Sequence, residues 1–284
     1  MSNPDYLLSM QGICKSFGAI QANYNVDLNL SEGDILGLLG ENGAGKTTLM
    51  NILFGTYQAD EGKIMVQGSQ ITIHSTADAL GFGIGMVHQH FHLVHQHTVL
   101  ENLLVGEPGR MGRLDFSGAR RRLLEIGEQF GLTLNPDARV SELTIGEQQR
   151  LEIIKAIFGD SKILILDEPT AVLTPYESTG LFEALRALAE GGLGIIFISH
   201  KLHEVRNVTN RVLVMRAGSV SALVEDTKEV TESDLARLMC GHELNPPKKN
   251  TSKLGDTFLS LSAIKTGDST HQKLKGINLS VQGG

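Results

Sequence analysis

The chain has 284 residues, of which 41% are hydrophobic and 20% charged, and its formal net charge is −7. This length and composition are typical of a globular protein with one large domain or two modest ones. The acidic balance disfavours a primary role in binding nucleic acid, which usually requires a basic surface. Cys14 and Cys240 lack CxxC spacing, which excludes a cysteine-based zinc framework and fits a reducing compartment.

The sequence suggests no targeting or membrane-spanning segment. The first residues, MSNPDYLL, contain no basic stretch followed by an apolar run. The apolar runs near 163–166 and 195–198 are much shorter than the about 20 residues that a membrane-spanning helix requires. We therefore expect a soluble chain whose role at any membrane is peripheral.

The N-terminal part predicts strands around one glycine-rich turn. Alternating apolar residues at 7–13 and 24–30 predict antiparallel strands. A short apolar run at 35–39 ends in glycines and leads into a predicted helix at 46–54. This order of strand, glycine loop and helix is expected of a phosphate-binding unit. A mixed stretch follows at 56–75.

The middle of the chain predicts a second set of strands separated by helices. Brief, continuous apolar runs at 83–87, 163–166 and 194–198 predict strands of a parallel sheet covered on both faces. The pattern is mostly helical at 115–160 and again at 177–190.

The sequence then predicts a hairpin, from 211–215 and 219–224, around Ala217 and Gly218. Residues 245–256, NPPKKNTSKLGD, form a polar linker that contains proline and lysine. A boundary between two parts of the chain is expected there.

After the linker the sequence repeats an earlier pattern. LSLSAIK at 259–265 resembles LSMQGICK at 8–15 with one residue fewer, and INLSVQG at 277–283 resembles LNLSEG at 28–33. We interpret 257–284 as the truncated start of a second copy of the domain. The alternative is a chance similarity between two amphipathic strand pairs.

The strongest local motif is GENGAGKT at 40–47, which matches GxxxxGK[ST] in full. In such a loop, backbone N–H groups close around phosphates and the helix N-terminus adds partial positive charge. Lys46 is placed to reach the β- and γ-phosphates, and the Thr47 hydroxyl to ligate Mg²⁺. A glycine-rich turn without a ligand is the alternative. The residues assigned to nucleotide binding here are Gly40, Asn42, Gly43, Ala44, Gly45, Lys46, Thr47 and Thr48.

The apolar run at 163–166 ends in two carboxylates, Asp167 and Glu168. Asp167 is expected to hold the magnesium, directly or through water, and Glu168 to polarise the attacking water as a general base. An acidic strand cap is the alternative. Together with the glycine loop, this pair predicts a Mg²⁺-dependent nucleoside-triphosphate hydrolase.

Several blocks between 17 and 242 resemble the nucleotide-binding subunit of ATP-binding-cassette (ABC) transporters. VSELTIGEQQR at 140–150 resembles the family signature, usually written LSGGQ, and DEPT at 167–170 its extended Walker B motif. Ser199 and His200 stand where the family has its switch histidine.

The resemblance implies an α/β fold with a P-loop NTPase (RecA-like) core. It also implies an N-terminal antiparallel β-subdomain and a helical signature subdomain at about 90–160. These parts belong to one ABC nucleotide-binding domain at 1–244, followed by the linker at 245–256 and the truncated second ABC domain at 257–284.

The resemblance further implies roles for single residues. Phe17 stands where the family stacks an aromatic ring on adenine, although a core phenylalanine is the alternative. His200 is expected to contact the γ-phosphate and Gln89 to contact Mg²⁺ and the water. The residues assigned to catalysis are thus Glu168, His200 and Gln89. Those assigned to Mg²⁺ are Thr47, Gln89 and Asp167.

In the family, two cassettes sandwich ATP head-to-tail, so that the signature of one faces the phosphate loop of the other. Thr144 keeps a hydroxyl for the γ-phosphate, and Gly146 is expected to keep its N–H free of side-chain cover. Ile145 and Glu147 depart from the usual signature, and a merely structural helix cap at Thr144 is the alternative. Thr174 replaces an aspartate that normally connects the two ATP sites, which predicts altered communication between them.

Three further stretches resemble tandem-cassette importers of simple sugars or nucleosides, with nucleosides preferred: EPTAVLTP at 168–175, MVHQHF at 86–91 and LMCGHEL at 238–244. Such a protein uses ATP and Mg²⁺ on the cytoplasmic face of the membrane. Its partners are transmembrane permeases, a periplasmic or lipoprotein substrate-binding protein, and a second ABC domain of the same chain or of a homodimer. The alternatives are a soluble ABC-type ATPase not coupled to transport and an ATP-binding regulatory cassette.

Five of the ten histidines lie between 88 and 97. If the chain is extended there, His88, His90 and His92 face one side and could bind a metal, but no carboxylate or cysteine nearby completes a ligand set. We predict instead that 91–101 lines the groove that receives a short helix of a membrane subunit, with Gln89 as the functional residue.

Overall fold

The computed structural model describes residues 6–106, 114–241, 255–266 and 274–282. The chain divides into two units, 1–244 and 245–284, which we name the cassette unit and the C-terminal unit.

The described strands of the cassette unit are β1 (Leu8–Phe17), β2 (Ile20–Leu30), β3 (Ile35–Leu39), β4 (Glu61–Val66), β5 (Ser69–Ile71), β6 (Ile84–Val87), β7 (Ile163–Asp167), β8 (Gly194–Ile198), β9 (Arg211–Arg216) and β10 (Ser219–Val224). Its described helices are α1 (Lys46–Leu53), α2 (Thr76–Gly81), α3 (Val99–Leu104), α4 (Phe116–Phe130), α5 (Ile145–Phe158), α6 (Pro175–Glu190), α7 (Leu202–Val208) and α8 (Glu232–Cys240).

The first sheet of the cassette unit has four antiparallel strands in the order β2-β1-β4-β5. It confirms the predicted antiparallel strand pair at the N-terminus. The mixed stretch at 56–75 contains β4 and β5, which the sequence pattern does not reveal. The reason is that the first three residues of β4 are exposed and polar or glycine, so its apolar alternation is too short to recognise.

A six-stranded sheet with the order β10-β9-β3-β8-β7-β6 forms the centre of the cassette unit. All of its strands except β10 run parallel, which confirms the predicted parallel sheet. β9 and β10 form the predicted hairpin, and both turn residues, Ala217 and Gly218, have positive φ, as in a type I′ turn.

The central sheet separates two hydrophobic cores. Leu164 and Leu166 on one face of β7 pack with helices α4, α5 and α6, whereas Ile163 and Ile165 on the other face pack with α1 and the antiparallel sheet. Because both faces of β7 are covered, its sequence is a continuous apolar run rather than an alternating one.

The helical stretch predicted at 115–160 is divided into two helices. α4 ends at Phe130, where Gly131 adopts a left-handed conformation and terminates the helix. α5 begins after Thr144, which caps it. The helix predicted at 177–190 is confirmed as α6, which starts earlier because Thr174 caps it and Pro175 occupies its first position.

Among the described helices, none has the length and apolar character that crossing a bilayer would require. The C-terminal unit contains β11 (Thr257–Thr266) and β12 (Leu274–Gln282), which pair antiparallel.

Candidate nucleotide-binding site

The carboxyl ends of β3, β6, β7 and β8 meet at one edge of the central sheet because these strands run parallel. Asp167, the last residue of β7, lies beside Ile198 at the end of β8. The edge therefore brings together four segments assigned from the sequence: the glycine loop, the Asp167–Glu168 pair, the Ser199–His200 pair and the start of the segment that contains Gln89. Ligands of open α/β sheets bind at such an edge.

The glycine loop is shaped by close backbone approach. Gly45 has φ +97, and a Cβ there would lie 2.3 Å from the carbonyl oxygen of Ala22. A Cβ at Gly40 would lie 2.4 Å from the carbonyl oxygen of Met215. Larger residues cannot occupy these positions, so the two glycines allow the loop to curl over the start of α1.

Lys46 is the first residue of α1, and its side chain folds back over the loop. Its Nζ donates to the carbonyl oxygens of Gly40 at 2.7 Å and Glu41 at 3.0 Å. Burial lowers the pKa of Lys46, while the carboxylates of Glu168 and Asp167 raise it. The helix has no side-chain cap at Gly45, so its first N–H groups remain available to an anion.

Asp167 and Glu168 differ in environment although they are adjacent. Burial, followed by the charge of Glu168, raises the pKa of Asp167, and Lys46 lowers it. Glu168 has φ +49, and its N–H donates to the carbonyl oxygen of Ile198 at 2.9 Å. Its Oε1 lies 2.8 Å from Nδ1 of His200, so the predicted base and the predicted switch histidine are in contact.

A buried carboxylate that the sequence did not single out holds the segment around His200. Glu204 accepts hydrogen bonds from Ser199 Oγ at 3.2 Å, Lys201 Nζ at 3.0 Å and the Thr170 hydroxyl. It therefore fixes the residues on both sides of His200 relative to the strand end that carries Glu168. Its only sequence signal is a glutamate in the first turn of α7, a common feature of helices.

Asn23 is a second residue whose role the sequence patterns do not indicate. It is fully buried in β2, and its Nδ2 donates to the Gly45 carbonyl oxygen at 3.1 Å. It thereby fixes the residue that caps α1. Its position within an alternating strand gives no indication of this role.

Phe17 is half exposed, so the alternative of a core phenylalanine is wrong. Its ring contacts Tyr57 edge-on, with 5.2 Å between centroids, and Lys15 Nζ lies 5.5 Å from its centroid. The Phe17 ring is therefore accessible, and its stacking on adenine stays a prediction.

The start of the signature motif, residues 144–147, which we name the signature turn, forms a complete helix cap. Thr144 Oγ1 accepts from the Glu147 N–H at 3.3 Å, and Glu147 Oε2 accepts from the Thr144 N–H at 2.8 Å. This capping box shows that Thr144 caps the helix, which was the alternative to a role in nucleotide binding. It also explains why glutamate occupies position 147, because that side chain completes the cap.

Gly146 departs from its expected environment, because it is buried and covered by a side chain. A Cβ at Gly146 would lie 2.6 Å from Oε1 of Glu177. The other oxygen of Glu177 accepts from the N–H and the hydroxyl of Thr174, at 2.8 and 2.7 Å. The expectation of an uncovered N–H at Gly146 is thus wrong for this conformation, since the cap of α6 places Glu177 over the glycine.

The histidine-rich segment is irregular rather than extended. His88 is half buried, with its ring 5.7 Å from Phe54 and 4.8 Å from His92, while His90 is exposed. Burial, followed by the charge of His92, lowers the pKa of His88. No cluster of three or more metal-ligating side chains occurs within the described ranges, which include all five of these histidines. Gln89, which lies between His88 and His90, is exposed.

The donors assigned to Mg²⁺ are chemically suited to it. Thr47, Gln89 and Asp167 offer hydroxyl, amide and carboxylate oxygens, and hard divalent cations prefer oxygen ligands. Burial and the charge of Glu168 raise the pKa of Asp167, and a bound cation would favour its carboxylate form.

A glycine loop before a helix, a carboxylate pair at the end of a neighbouring parallel strand, and the sheet order around them define a P-loop nucleotide-binding core. The family model described as "ABC transporter" matches residues 24–171. The chain therefore belongs to the ABC transporter family, as the motifs predicted.

Curated relatives agree with this assignment. The nucleoside import ATP-binding protein NupA of Lactococcus lactis subsp. cremoris (strain MG1363) is 42% identical over 281 residues, covering 98% of this chain and 55% of NupA. The guanosine import ATP-binding protein NupO of Bacillus subtilis (strain 168) is 41% identical over 283 residues, covering 99% of this chain and 55% of NupO. The chain thus spans about half the length of the curated relatives it matches.

Solved structures show the same fold. The ADP conformation of MJ1267, an ATP-binding cassette of an ABC transporter, superposes with a TM-score of 0.74 at 27% identity, covering 84% of this chain and 99% of that chain. A nucleotide-free ATP-binding cassette from an ABC transporter gives 0.71 at 28% identity, covering 79% and 93%. The predicted fold class is confirmed.

Proposed function

We propose that the chain binds and hydrolyses ATP with Mg²⁺ and thereby powers import of a small solute, a nucleoside or a simple sugar. The observation that carries the proposal is the contact of Glu168 with His200, beside Lys46, at the sheet edge where the glycine loop begins. This arrangement supplies a base, a group that orients it and a cation for phosphate within one site.

Each residue has a separate task in the proposed reaction. Backbone N–H groups of the glycine loop and the Lys46 ammonium bind the β- and γ-phosphates. Glu168 accepts the proton of the attacking water, and His200 keeps that carboxylate oriented and contacts the γ-phosphate. Phe17 stacks on the adenine, with Tyr57 supporting its ring.

Thr47, Gln89 and Asp167 would hold Mg²⁺, which neutralises developing charge on the phosphate oxygens when it is bound. Because Gln89 and the strand that carries Asp167 belong to separate segments, these residues would hold the metal together only when both segments are in place. The proposed hydrolysis is therefore sensitive to the position of the histidine-rich segment.

The proposed cargo and partners rest on the relatives. NupA and NupO are named for nucleoside and guanosine import. A relative from Caldanaerobacter subterraneus subsp. tengcongensis, 40% identical over 240 residues, is named for ribose import. We assign the chain to the cytoplasmic face of a membrane, with permeases, a substrate-binding protein and a second ABC domain as partners. Thr144 and Gly146 would then face the nucleotide of that second domain.

A glutamine substitution tests the base. Glu168→Gln retains shape but removes the proton acceptor, so hydrolysis should fall by about 10²- to 10⁴-fold while ATP binding persists. The measurement is phosphate release with Mg²⁺ or EDTA, beside equilibrium ATP binding. Lys46→Ala is the contrasting variant, because it should lose binding itself. Undiminished turnover in Glu168→Gln would contradict the assignment of the base.

A stability measurement tests the environment of Asp167 without nucleotide. Because the pKa of Asp167 is raised in the folded chain, its stabilising contribution is present below about pH 4 and is lost as pH rises through the folded pKa. Asp167→Asn should therefore become more stable than the parent as pH rises from about 4 to 7, while losing Mg²⁺-dependent hydrolysis. Urea unfolding at both pH values checks this, and equal stability at pH 7 would count against it.

A further inference from the structure

The segment at 88–98, which joins β6 to α3, contains no helix or strand. We name it the Gln89 segment. Such a stretch must satisfy its backbone polar groups with partners from elsewhere in the fold. In this chain many of those partners lie in the residues just before Thr144 and on helix α5, which follows it.

Helix α5 holds the middle of the Gln89 segment through two side chains. The N–H of His92 donates to Glu152 Oε1 at 2.5 Å, and Lys155 Nζ donates to the His92 carbonyl oxygen at 3.1 Å. Glu152 and Lys155 lie three residues apart, on one face of the helix. Both backbone groups of one residue are thus bound by a single helical face.

A second connection comes from the residues that precede the signature turn. The carbonyl oxygens of His95 and His97 accept from the N–H groups of Ser141 and Val140, each at 3.0 Å. The signature region therefore holds the Gln89 segment from both sides of Thr144.

The end of the segment is fixed by α3. Asn102, which is fully buried, accepts from the Val94 N–H at 2.8 Å and donates to the carbonyl oxygens of Val94 and Thr98, each at 3.0 Å. The part of the segment from His92 onward is consequently restrained at each end. Gln89 lies ahead of these restraints, close to the sheet edge.

Glu152 is the most costly of these groups to bury. It is 7% exposed, and its pKa is raised by burial, against the lowering effects of the His92 N–H and Lys155. A carboxylate on the buried side of a helix lowers stability relative to an apolar residue unless a specific partner needs it. The partner here is the His92 N–H, which would otherwise lack an acceptor.

We propose that Glu152 is a positioning residue for Gln89, because Glu152 fastens the Gln89 segment to α5. The position of Gln89 in this chain's own nucleotide site then depends on α5, whose start faces the second cassette under the proposed function. Contact at the signature is thereby transmitted to the metal site of the same chain.

Hydrogen exchange of the 284-residue chain without nucleotide tests the connection. In Glu152→Leu, the His92 amide should exchange at least about tenfold faster, because a hydrogen bond to a charged acceptor is lost. Glu152→Gln, which keeps an acceptor oxygen, should restore most of the protection. Glu128→Leu, at an exposed site on α4, is the matched control and should change nothing. Unchanged protection in Glu152→Leu would overturn the proposal.

A double-mutant cycle tests transmission from the signature. Thr144→Ala removes the cap of α5 and should accelerate exchange in 88–93 of the parent chain by several-fold. In the Glu152→Leu background the same substitution should have no additional effect there. Additive effects of the two substitutions would overturn the proposed link.

Steady-state kinetics test whether the contact between Glu152 and the Gln89 segment affects ATP hydrolysis. Glu152→Leu should lower kcat by about tenfold with KM for ATP within about twofold, because the phosphate loop is untouched and only the placement of Gln89 changes. Glu152→Gln should recover most of kcat. Faster exchange without any loss of kcat would overturn the positioning role.

A parent chain without Mg²⁺-dependent hydrolysis would contradict the proposed function. The exchange cycle uses no nucleotide, so it would still decide the role of Glu152.

Discussion

The β1–β2 and β11–β12 hairpins have the same local geometry but opposite burial. The pairs Leu8↔Leu30, Ser9↔Asn29, Met10↔Leu28 and Ile13↔Val26 correspond to Leu259↔Val281, Ser260↔Ser280, Leu261↔Leu279 and Ile264↔Ile277. Both first strands change register between the third and fourth of these pairs. The interpretation of 257–284 as a second copy of the domain stays a prediction, for which this likeness of backbone pairing is what a copy would show.

The bulge itself is repeated in detail. Gly12 has φ +60 and Ala263 has φ +52. The Gly12 N–H donates to Asp27 Oδ1 at 2.7 Å, and the Ala263 N–H donates to Asn278 Oδ1 at 2.8 Å. The register, the bulge and its side-chain bond therefore recur in two strand pairs whose surroundings differ.

Burial shows what local sequence does not specify. Met10 and Leu28 are 0% and 1% exposed, whereas Leu279 is 49% exposed. β1 has β4 on its second edge and a core beneath it, whereas in the described part of the C-terminal unit β11 pairs only with β12. The two hairpins thus share their strand pairing but differ in how much apolar surface they bury.

The largest effect is expected from truncating matched core positions. Met10→Ala should lower the free energy of unfolding of the cassette unit by about 2–5 kcal/mol, because it leaves a cavity in a close-packed core. Leu261→Ala, at the equivalent position, should change it by less than about 0.5 kcal/mol. Circular dichroism during urea unfolding is suitable, since the chain contains no tryptophan. Equal losses from both variants would refute the contrast.

An intermediate effect is expected at the bulge. Gly12→Ala should cost about 1 kcal/mol, because alanine at φ +60 is strained although its Cβ would be 3.5 Å from the nearest atom. Ala263→Gly removes the same strain from the exposed hairpin and should leave unfolding of the cassette unit unchanged. The same urea titration measures both. A stabilised Gly12→Ala would show that the bulge is not under strain.

The smallest effect on stability is expected on the exposed face of β12. Leu279→Lys should keep the free energy of unfolding within about 0.5 kcal/mol and reduce concentration-dependent light scattering, because exposed apolar side chains promote association. Leu28→Lys is the matched variant and should be strongly destabilising. Unaltered scattering in Leu279→Lys would exclude this face as a source of association.

The elements with a strong period or a special residue were predictable. The strand, glycine loop and helix at 35–54 follow from the glycines, and the parallel strands from their continuous apolar runs. β4 was not predictable, because its first half is polar and its pairing with β1 is set by tertiary contact. The division of the helical stretch at Gly131 was visible in principle, since glycine favours the left-handed cap found there.

The site was predictable only for residues that carry the chemistry themselves. Lys46, Asp167 and Glu168 follow from motifs whose spacing reflects the phosphate and the metal. Asn23 and Glu204 act by holding other residues, through contacts between segments distant in the sequence. No local pattern identifies such contacts. The cover over Gly146 has the same origin, because it depends on how the start of α6 meets α5.

The backbone at Glu168 has a consequence for how this site evolves. A left-handed conformation is strained for glutamate and much easier for glycine or asparagine. Selection for stability alone would thus favour replacement of Glu168 by glycine or asparagine. A lineage freed from the need for the Glu168 side chain should therefore lose this residue before it loses the fold.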